Sequence, residues 1–349
     1  MKISNKAKQK LGNSFVRRVA PLINYKLPLS FIQSIDVEPI AVCDLACSFC
    51  QVPGWDRAKN TRAMKLEVFK SVIDRFPNLK YIKLQGMGEP FLNKQLVDMV
   101  EYSSSKNIPT DITTHGGRLN SELIKGIIKA KLDFIDFSFD GATKATYEKA
   151  RINSNYEKVT TNIKSLCEEK QRQKSQIRIQ LVCLVSNNQI LEEIPALVSL
   201  GVKLGVDSVH IKGRIKKWEK LDQGKYDFST FFIDQHEHYD NIMNEAKLIA
   251  KQGGIKLDLG KSEDAYSRDN PCRWPWKSLY ISTEGKVVPC CVVGVPETWN
   301  MGSLHEQSLG EIWNSKEYKK LRKQMSLHSR GKLEIDGLNS LCQSCYLSH

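Results

Sequence analysis

Seven of the ten cysteines in this 349-residue chain fall into two groups whose spacing suits metal ligation. Cys43, Cys47 and Cys50 form a Cys-x3-Cys-x2-Cys run; Cys272, Cys290, Cys342 and Cys345 follow near the C-terminus, the last pair as Cys-x2-Cys. Thiolates hold iron–sulfur clusters. Three of them on a four-iron cluster leave one iron open, much as a catalytic zinc site keeps a free position. An open iron can chelate the amino and carboxyl groups of a small molecule and pass it an electron. Four thiolates close a cluster, which suits electron transfer. Zinc is the competing occupant: a structural site takes four protein ligands, and no histidine lies close in sequence to the first run. For the second group, where Cys342 and Cys345 on one tight turn would reach the same ion, structural zinc stays open as an alternative. Cys291 is left over as a spare ligand or a buried small residue, and Cys167 and Cys183 read as core.

Other chemistry-bearing residues sit where strands end. Gly86-Met87-Gly88-Glu89-Pro90 combines glycines, which let backbone approach a ligand, with a carboxylate suited to an ammonium group. Thr113-Thr114-His115-Gly116 and Ser138-Phe139-Asp140-Gly141 end two further strand-like runs, and Arg151 follows. For Ser138 and Asp140 the plainer role is capping the helix after Thr143; for His115 it is a turn residue.

These residues need a scaffold, and the patterning supplies one. Strand-like runs at Ile32–Val37, Leu79–Leu84, Thr110–Thr114, Phe134–Phe139, Ile177–Val185 and Ser208–Lys212 alternate with helical patterns. In one of these, Met64, Val68, Val72 and Phe76 repeat every four residues. Six β-then-α units predict an α/β fold with a parallel sheet curled into a partial (βα)6 barrel. Functional residues are then expected at the C-terminal ends of its strands. The charged stretch 213–265 reads as a bridge. Leu279–Ser282 and Lys286–Val288 flank Thr283-Glu284-Gly285, a hairpin signal, and Ser308–Met325 reads as one helix. The expected organisation is a basic lead-in at 1–30, the barrel at 31–265 and a small C-terminal β-hairpin and helix cluster-binding domain at 266–349.

The chain carries 52 Lys and Arg against 39 Asp and Glu, a net charge of +13, which suits an anionic partner or simple solubility. Its apolar fraction of 41% supports a sizeable core. Leu11, Phe15, Val19, Leu22 and Ile23 in the lead-in share one helical face, interrupted by Gly12 and Pro21. No secretory leader and no transmembrane run is read, so a cytoplasmic setting is expected, where clustered cysteines hold metal more often than they pair. A metal-stabilised nucleic-acid-binding protein is the reading from another class; the basic Arg214–Lys220 stretch is all that favours it, and nucleic acid is not expected as a partner.

Cys-x3-Cys-x2-Cys with Phe49 before its last cysteine resembles the signature of the radical S-adenosylmethionine (SAM) superfamily, and the other motifs follow in order along nearly the whole chain. The resemblance implies one [4Fe–4S] cluster on Cys43, Cys47 and Cys50, with SAM on the open iron. It implies that Gly86, Met87, Gly88 and Glu89 take the methionyl amine, Met87 standing where relatives carry glycine. Arg151 would pair with the methionyl carboxylate, Ser138 and Asp140 would sit near the ribose, and Phe49, Thr114 and Ile211 would line the cofactor. His115 departs from the Thr-Asn-Gly common in relatives. Gly285–Cys290, Met301–Leu304, Glu311–Trp313 and Cys342-x2-Cys345 resemble the SPASM domain or its shorter Twitch form, implying a second [4Fe–4S] cluster on Cys272, Cys290, Cys342 and Cys345. The implied activity is hydrogen abstraction by a 5′-deoxyadenosyl radical. The expected reaction is two-electron oxidation of a small sugar- or cyclitol-like molecule, with a flavodoxin- or ferredoxin-type electron donor; the alternative is maturation of a peptide or protein.

Overall fold

A computed structural model describes residues 26–50, 62–212, 236–259, 271–291, 293–294 and 296–347. The expected lead-in face from Leu11 to Ile23 and the basic Arg214–Lys220 stretch lie outside the described residues. Strands and helices alternate as β1 (Ser34–Val37), α1 (Leu66–Ile73), β2 (Tyr81–Leu84), α2 (Leu96–Ser105), β3 (Thr110–Thr114), α3 (Ser121–Lys129) and β4 (Phe134–Ser138). There follow α4 (Lys144–Ala150), α5 (Tyr156–Gln173), β5 (Arg178–Leu184), α6 (Asn188–Glu192), α7 (Ile194–Leu204) and β6 (Ser208–Lys212). The six strands pair in parallel and in chain order. Polar side chains start the helices between them: Asn120, Thr143, Asn155 and Asn187 each accept the N–H of the third residue onward.

Four expectations need correction. The stretch read as a bridge holds α8 (His236–Gln252) and β7 (Lys256–Leu259), and β7 pairs in parallel with β6 as a seventh strand. Its charged alternation hid it. The C-terminal hairpin is not a separate sheet. After α9 (Trp274–Lys277), β8 (Ser278–Ile281) pairs in parallel with β1, and β9 (Lys286–Val288) and β10 (Gly302–Ser303) continue antiparallel. The order is therefore β10-β9-β8-β1-β2-β3-β4-β5-β6-β7. The helix expected at Ser308–Met325 is two, α10 (Leu309–Trp313) and α11 (Lys316–Ser329). Ser308 closes a capping box with Glu311, and Ser315 starts α11 by accepting the Tyr318 N–H. Finally α12 (Ser340–Leu347) carries Cys342 and Cys345 on a helix instead of a tight turn.

The sheet has two unlike faces. Ile35, Val37, Ile82, Leu84, Ile112, Ile135, Phe137, Leu181, Val209 and Ile211 belong to one buried apolar cluster that includes helix residues such as Phe69, Met99, Ile127, Ile163 and Val198. The alternate positions are polar: Asp36, Lys83, Asp111, Asp136, Gln180 and Ser208. A parallel sheet covered by helices on both faces reads as continuous apolar runs; this one is covered on one side and keeps a polar interior on the other.

Candidate active site

The first cysteine run lies in a loop after β1 that backbone bonds tie down. Ala46 and Ser48 donate their N–H groups to Ile152 O and Ala150 O, each at 3.0 Å, and Cys50 N–H bonds Cys47 O at 3.1 Å. Val42 O accepts the Glu89 N–H at 2.8 Å. The loop thus rests on the Gly86–Glu89 segment on one side and on the end of α4 on the other. Cys47 is buried and Cys43 and Cys50 are half-buried. Burial pushes the Cys43 thiol up to about 12 and raises that of Cys47, so ionising them as ligands calls for a compensating positive charge.

The glycines of Gly86–Glu89 clear room for this chain rather than for a ligand alone. A side chain on Gly88 would run into the Ile40 carbonyl and stand 2.6 Å from Val42 O; one on Gly86 would meet the Glu38 side chain and the Tyr280 hydroxyl at 2.7 Å. Met87 donates its N–H to Glu38 Oε1 at 3.0 Å, and its side chain fills the space beside Gly294. The methionine that departs from the family pattern therefore bridges the first motif to the segment after Cys290.

Glu89 is 2% exposed, and its carboxylate is oriented on every side. Oε1 accepts the Phe91 N–H at 3.2 Å and the Thr114 hydroxyl at 2.6 Å, while Oε2 accepts the His115 N–H at 3.0 Å. His115 is no mere turn residue. Its Nδ1 accepts the Gly117 N–H at 3.0 Å, which places the ring proton on Nε2. Nε2 lies 3.0 Å from Asp44 Oδ1 and 3.3 Å from Glu89 Oε2. Cys43 Sγ, an Asp44 oxygen and a His115 nitrogen all lie within 4.8 Å of one another. Burial alone would raise Asp44, but the bond from His115 and the Arg118 guanidinium hold it well below the usual carboxylate range.

Asp140 caps no helix; Thr143 does that itself. Asp140 Oδ1 accepts the Leu184 N–H at 2.6 Å and Oδ2 pairs with Arg151 Nη2 at 2.5 Å. Arg151 Nη1 points at Cys47 Sγ at 3.8 Å and its guanidinium lies 5.7 Å from the Phe49 ring centre. Arg151 Nε is buried without a hydrogen-bond partner among the described residues. Ser138 sits half-buried at the C-terminal end of β4. Ile211 packs in the apolar cluster on the opposite face of β6 from His210, so its placement matches the plain core role.

The polar interior was missed from sequence. Tyr81 and Lys83 both bond Asp111; Lys83 reaches Asp136 at 2.9 Å, Gln180 bonds Asp136 at 3.1 Å and Ser208 bonds Gln180 at 2.8 Å. Gln85 joins Asp36 at 2.6 Å to Thr113 at 3.2 Å. Above Asp36 stands Glu38, 3% exposed, accepting N–H bonds from Met87 and, at 3.4 Å, from Thr283 of the C-terminal hairpin. Burial raises Asp36 to about 6 and Glu38 to about 7. The signal was available: Tyr81-Ile82-Lys83-Leu84 alternates polar and apolar where a doubly covered strand would not.

In the C-terminal segment Cys272, Cys290 and Cys342 are half-buried. The Cys345 side chain lies outside the described residues. Cys290 lies within electrostatic reach of Tyr318, whereas Cys291 lies within reach of Tyr280 and Lys212, on the polar interior. Eight buried side-chain polar atoms among the described residues lack a hydrogen-bond partner. Five are in this segment, and four of them are donors that face no acceptor, Trp276 Nε1, Trp313 Nε1, Tyr318 OH and Arg322 Nη2, whereas the Tyr280 hydroxyl lies against the Glu38 carboxyl. Buried donors without acceptors are rare in proteins.

Comparison with known proteins agrees. The radical SAM superfamily matches residues 37–194, and the SPASM iron–sulfur cluster-binding domain matches residues 272–346. The chain carries a radical SAM domain followed by a SPASM domain. It is 27% identical over 305 residues to the tungsten-containing aldehyde ferredoxin oxidoreductase cofactor-modifying protein of Pyrococcus furiosus, covering 81% of each chain. It is 21% identical over 285 residues to a PqqA peptide cyclase of Gluconobacter oxydans, covering 78% of this chain and 74% of that one. Its fold is similar to that of Streptococcus suis SuiB bound to S-adenosylmethionine, with a TM-score of 0.65 at 16% identity over 92% of this chain and 74% of that one.

A radical SAM enzyme with a SPASM domain uses SAM and [4Fe–4S] clusters, and the residues present fit them. Three thiols gather on one strapped loop, the buried Arg151 Nε–H has no acceptor among the described residues, and in the SPASM segment the buried Tyr318 hydroxyl, also without one, lies within electrostatic reach of Cys290, where cluster sulfurs would accept hydrogen bonds. Among the described residues no helix is long and apolar enough to cross a membrane.

Proposed function

We propose that this radical SAM enzyme modifies a peptide or protein chain. The observation that carries the reading is the likeness to PqqA peptide cyclases, which extends over 78% of the chain. The oxidation of a sugar- or cyclitol-like molecule, expected from the five cysteines of the C-terminal segment, is the weaker reading, because the PqqA peptide cyclases, matched along most of the chain, act on a peptide by name. The nucleic-acid-binding reading gives way to the family match.

Cys43, Cys47 and Cys50 are the proposed ligands of the first cluster, and Cys272, Cys290, Cys342 and Cys345 those of the auxiliary one; 31–265 and 266–349 are the proposed barrel and SPASM regions, and a flavodoxin- or ferredoxin-type protein the proposed donor. When bound, the first cluster and SAM supply a 5′-deoxyadenosyl radical that removes hydrogen from an unreactive carbon. The chain's own residues hold and shield the parts. Glu89, fixed by Phe91, Thr114 and His115, would hold the methionyl ammonium, and the Arg151 Nε–H, without an acceptor among the described residues, would take its carboxylate. Ser138, Asp140, Phe49, Gly86 to Gly88 and Ile211 remain proposed cofactor neighbours, Asp140 through Arg151 and Ile211 through the packing behind β6. The polar interior from Asp36 to Ser208 offers hydrogen bonds to backbone amides of a substrate.

The test is co-expression of the full chain with each short open reading frame flanking its gene, followed by mass spectrometry of the encoded peptides. A peptide mass change that depends on Cys43 supports the reading. Formation of 5′-deoxyadenosine driven by sugars or cyclitols and by none of the peptides would reverse it.

A further inference from the structure

Arg322 is a buried cation without an acidic partner among the described residues. Its side chain is 1% exposed, on α11. Nε donates to Pro275 O and Nη1 to Trp313 O, both at 2.7 Å, and Nη2 has no acceptor among the described residues. Only the neighbouring Tyr318 acts on its charge there, and burial pulls the guanidinium down to about 10. It stacks 4.1 Å from the Trp313 ring centre and 5.0 Å from that of Tyr318. The Tyr318 hydroxyl is equally buried and equally without a partner. Removing a charge from water without compensation is strongly unfavourable, and two carbonyls do not neutralise it.

The surroundings identify what would. α11 bonds the segment after Cys272 and the turn before Cys342, and lies within electrostatic reach of Cys290. Pro275 stands three residues after Cys272. Tyr318 lies within electrostatic reach of Cys290. Gln324 Nε2 donates to Gly337 O at 3.0 Å, at the turn that leads into the helix of Cys342. A four-iron cluster held by four thiolates is negatively charged, and its reduced form is more so by one electron. A fixed cation and a hydroxyl donor beside it stabilise the reduced form more than the oxidised one.

We propose that Arg322 and Tyr318 are the charge and hydrogen-bond partners of the auxiliary cluster and raise its reduction potential. This rests on the reading that the C-terminal cysteines hold a [4Fe–4S] cluster. Both residues act on the cluster as positioning and tuning groups.

The experiment uses the full chain with Cys43→Ala, Cys47→Ala and Cys50→Ala, so that one cluster remains. Iron is counted first: absence of iron in this parent overturns the underlying cluster reading and with it the proposal. In the loaded protein the midpoint potential is then measured by an EPR-monitored redox titration. Arg322→Gln should lower the reduced-to-oxidised ratio at the parent's midpoint at least tenfold, equivalent to about 59 mV for one electron. Arg322→Lys should stay near the parent. Tyr318→Phe, which keeps the ring under the guanidinium, should shift the potential in the same direction by less. A variant whose only fault is a lost structural clamp would not move the potential. If Arg322→Gln and Tyr318→Phe both titrate with the parent, the proposal is overturned; if Arg322→Gln fails to retain iron, Tyr318→Phe decides alone.

Discussion

Arg151 places Nη1 3.8 Å from Cys47 Sγ while Nη2 is held by Asp140 at 2.5 Å. One buried guanidinium therefore links the cysteine loop to the end of β4, and the backbone bonds Ala46 to Ile152 and Ser48 to Ala150 fix it there. Arg151→Met should leave Asp140 charged and buried, a loss of roughly 3–5 kcal/mol. Urea denaturation of the iron-free protein measures it. Adding Asp140→Asn should recover part of that loss, and a double variant no more stable than the single one would contradict the pairing.

Removing the imidazole that joins Asp44 to Glu89 leaves two carboxylates facing each other in a buried site. His115→Ala should lower the iron bound at the first cluster and leave the auxiliary iron in place. His115→Gln, which restores one donor, should recover part of the occupancy. Mössbauer or EPR spectra that separate the two clusters decide it; equal loss from both would show a general folding defect instead.

Gly88 packs against backbone and Gly86 against side chains, so their substitutions should differ. Gly88→Ala pushes on the carbonyls of Ile40 and Val42, which cannot rotate away. It should displace the cysteine loop and remove the first cluster's iron. Gly86→Ala meets the Glu38 side chain, which can shift, and should retain more iron. Iron analysis of the two purified variants tests the order.

Glu38 should make stability fall as pH rises. Its ordinary value is 4.5 and its folded value is about 7, raised by burial against the N–H bonds of Met87 and Thr283 and beside Tyr280 and Glu297. A raised folded value means that the contribution is fully present below pH 4.5 and is lost as pH climbs through 7. The step corresponds to roughly 3 kcal/mol. Asp36, raised to about 6, adds in the same direction. Glu38→Gln should therefore gain on the wild type between pH 5 and 8, about these values, in melting curves of the iron-free chain. Parallel curves for the two proteins would rule the effect out.

The sequence alone determined the cofactor class and most of the scaffold. Cys43, Cys47 and Cys50 are close in the chain, so their spacing is their geometry, and strands such as Thr110–Thr114 and Ser208–Lys212 were readable with their boundaries because local alternation marks them. What only the tertiary structure decided depends on residues far apart in the chain. His115 and Asp44 meet across 71 positions, Lys83 and Asp136 across 53, and Glu38 and Thr283 across 245. The joining of β8 to β1 turned an expected appendage into part of one sheet, because pairing between strands leaves no mark in either strand's own pattern. In sequence Arg322 is one basic residue among the lysines of its helix; burial between Trp313, Tyr318 and Pro275 makes it a charge in need of a partner.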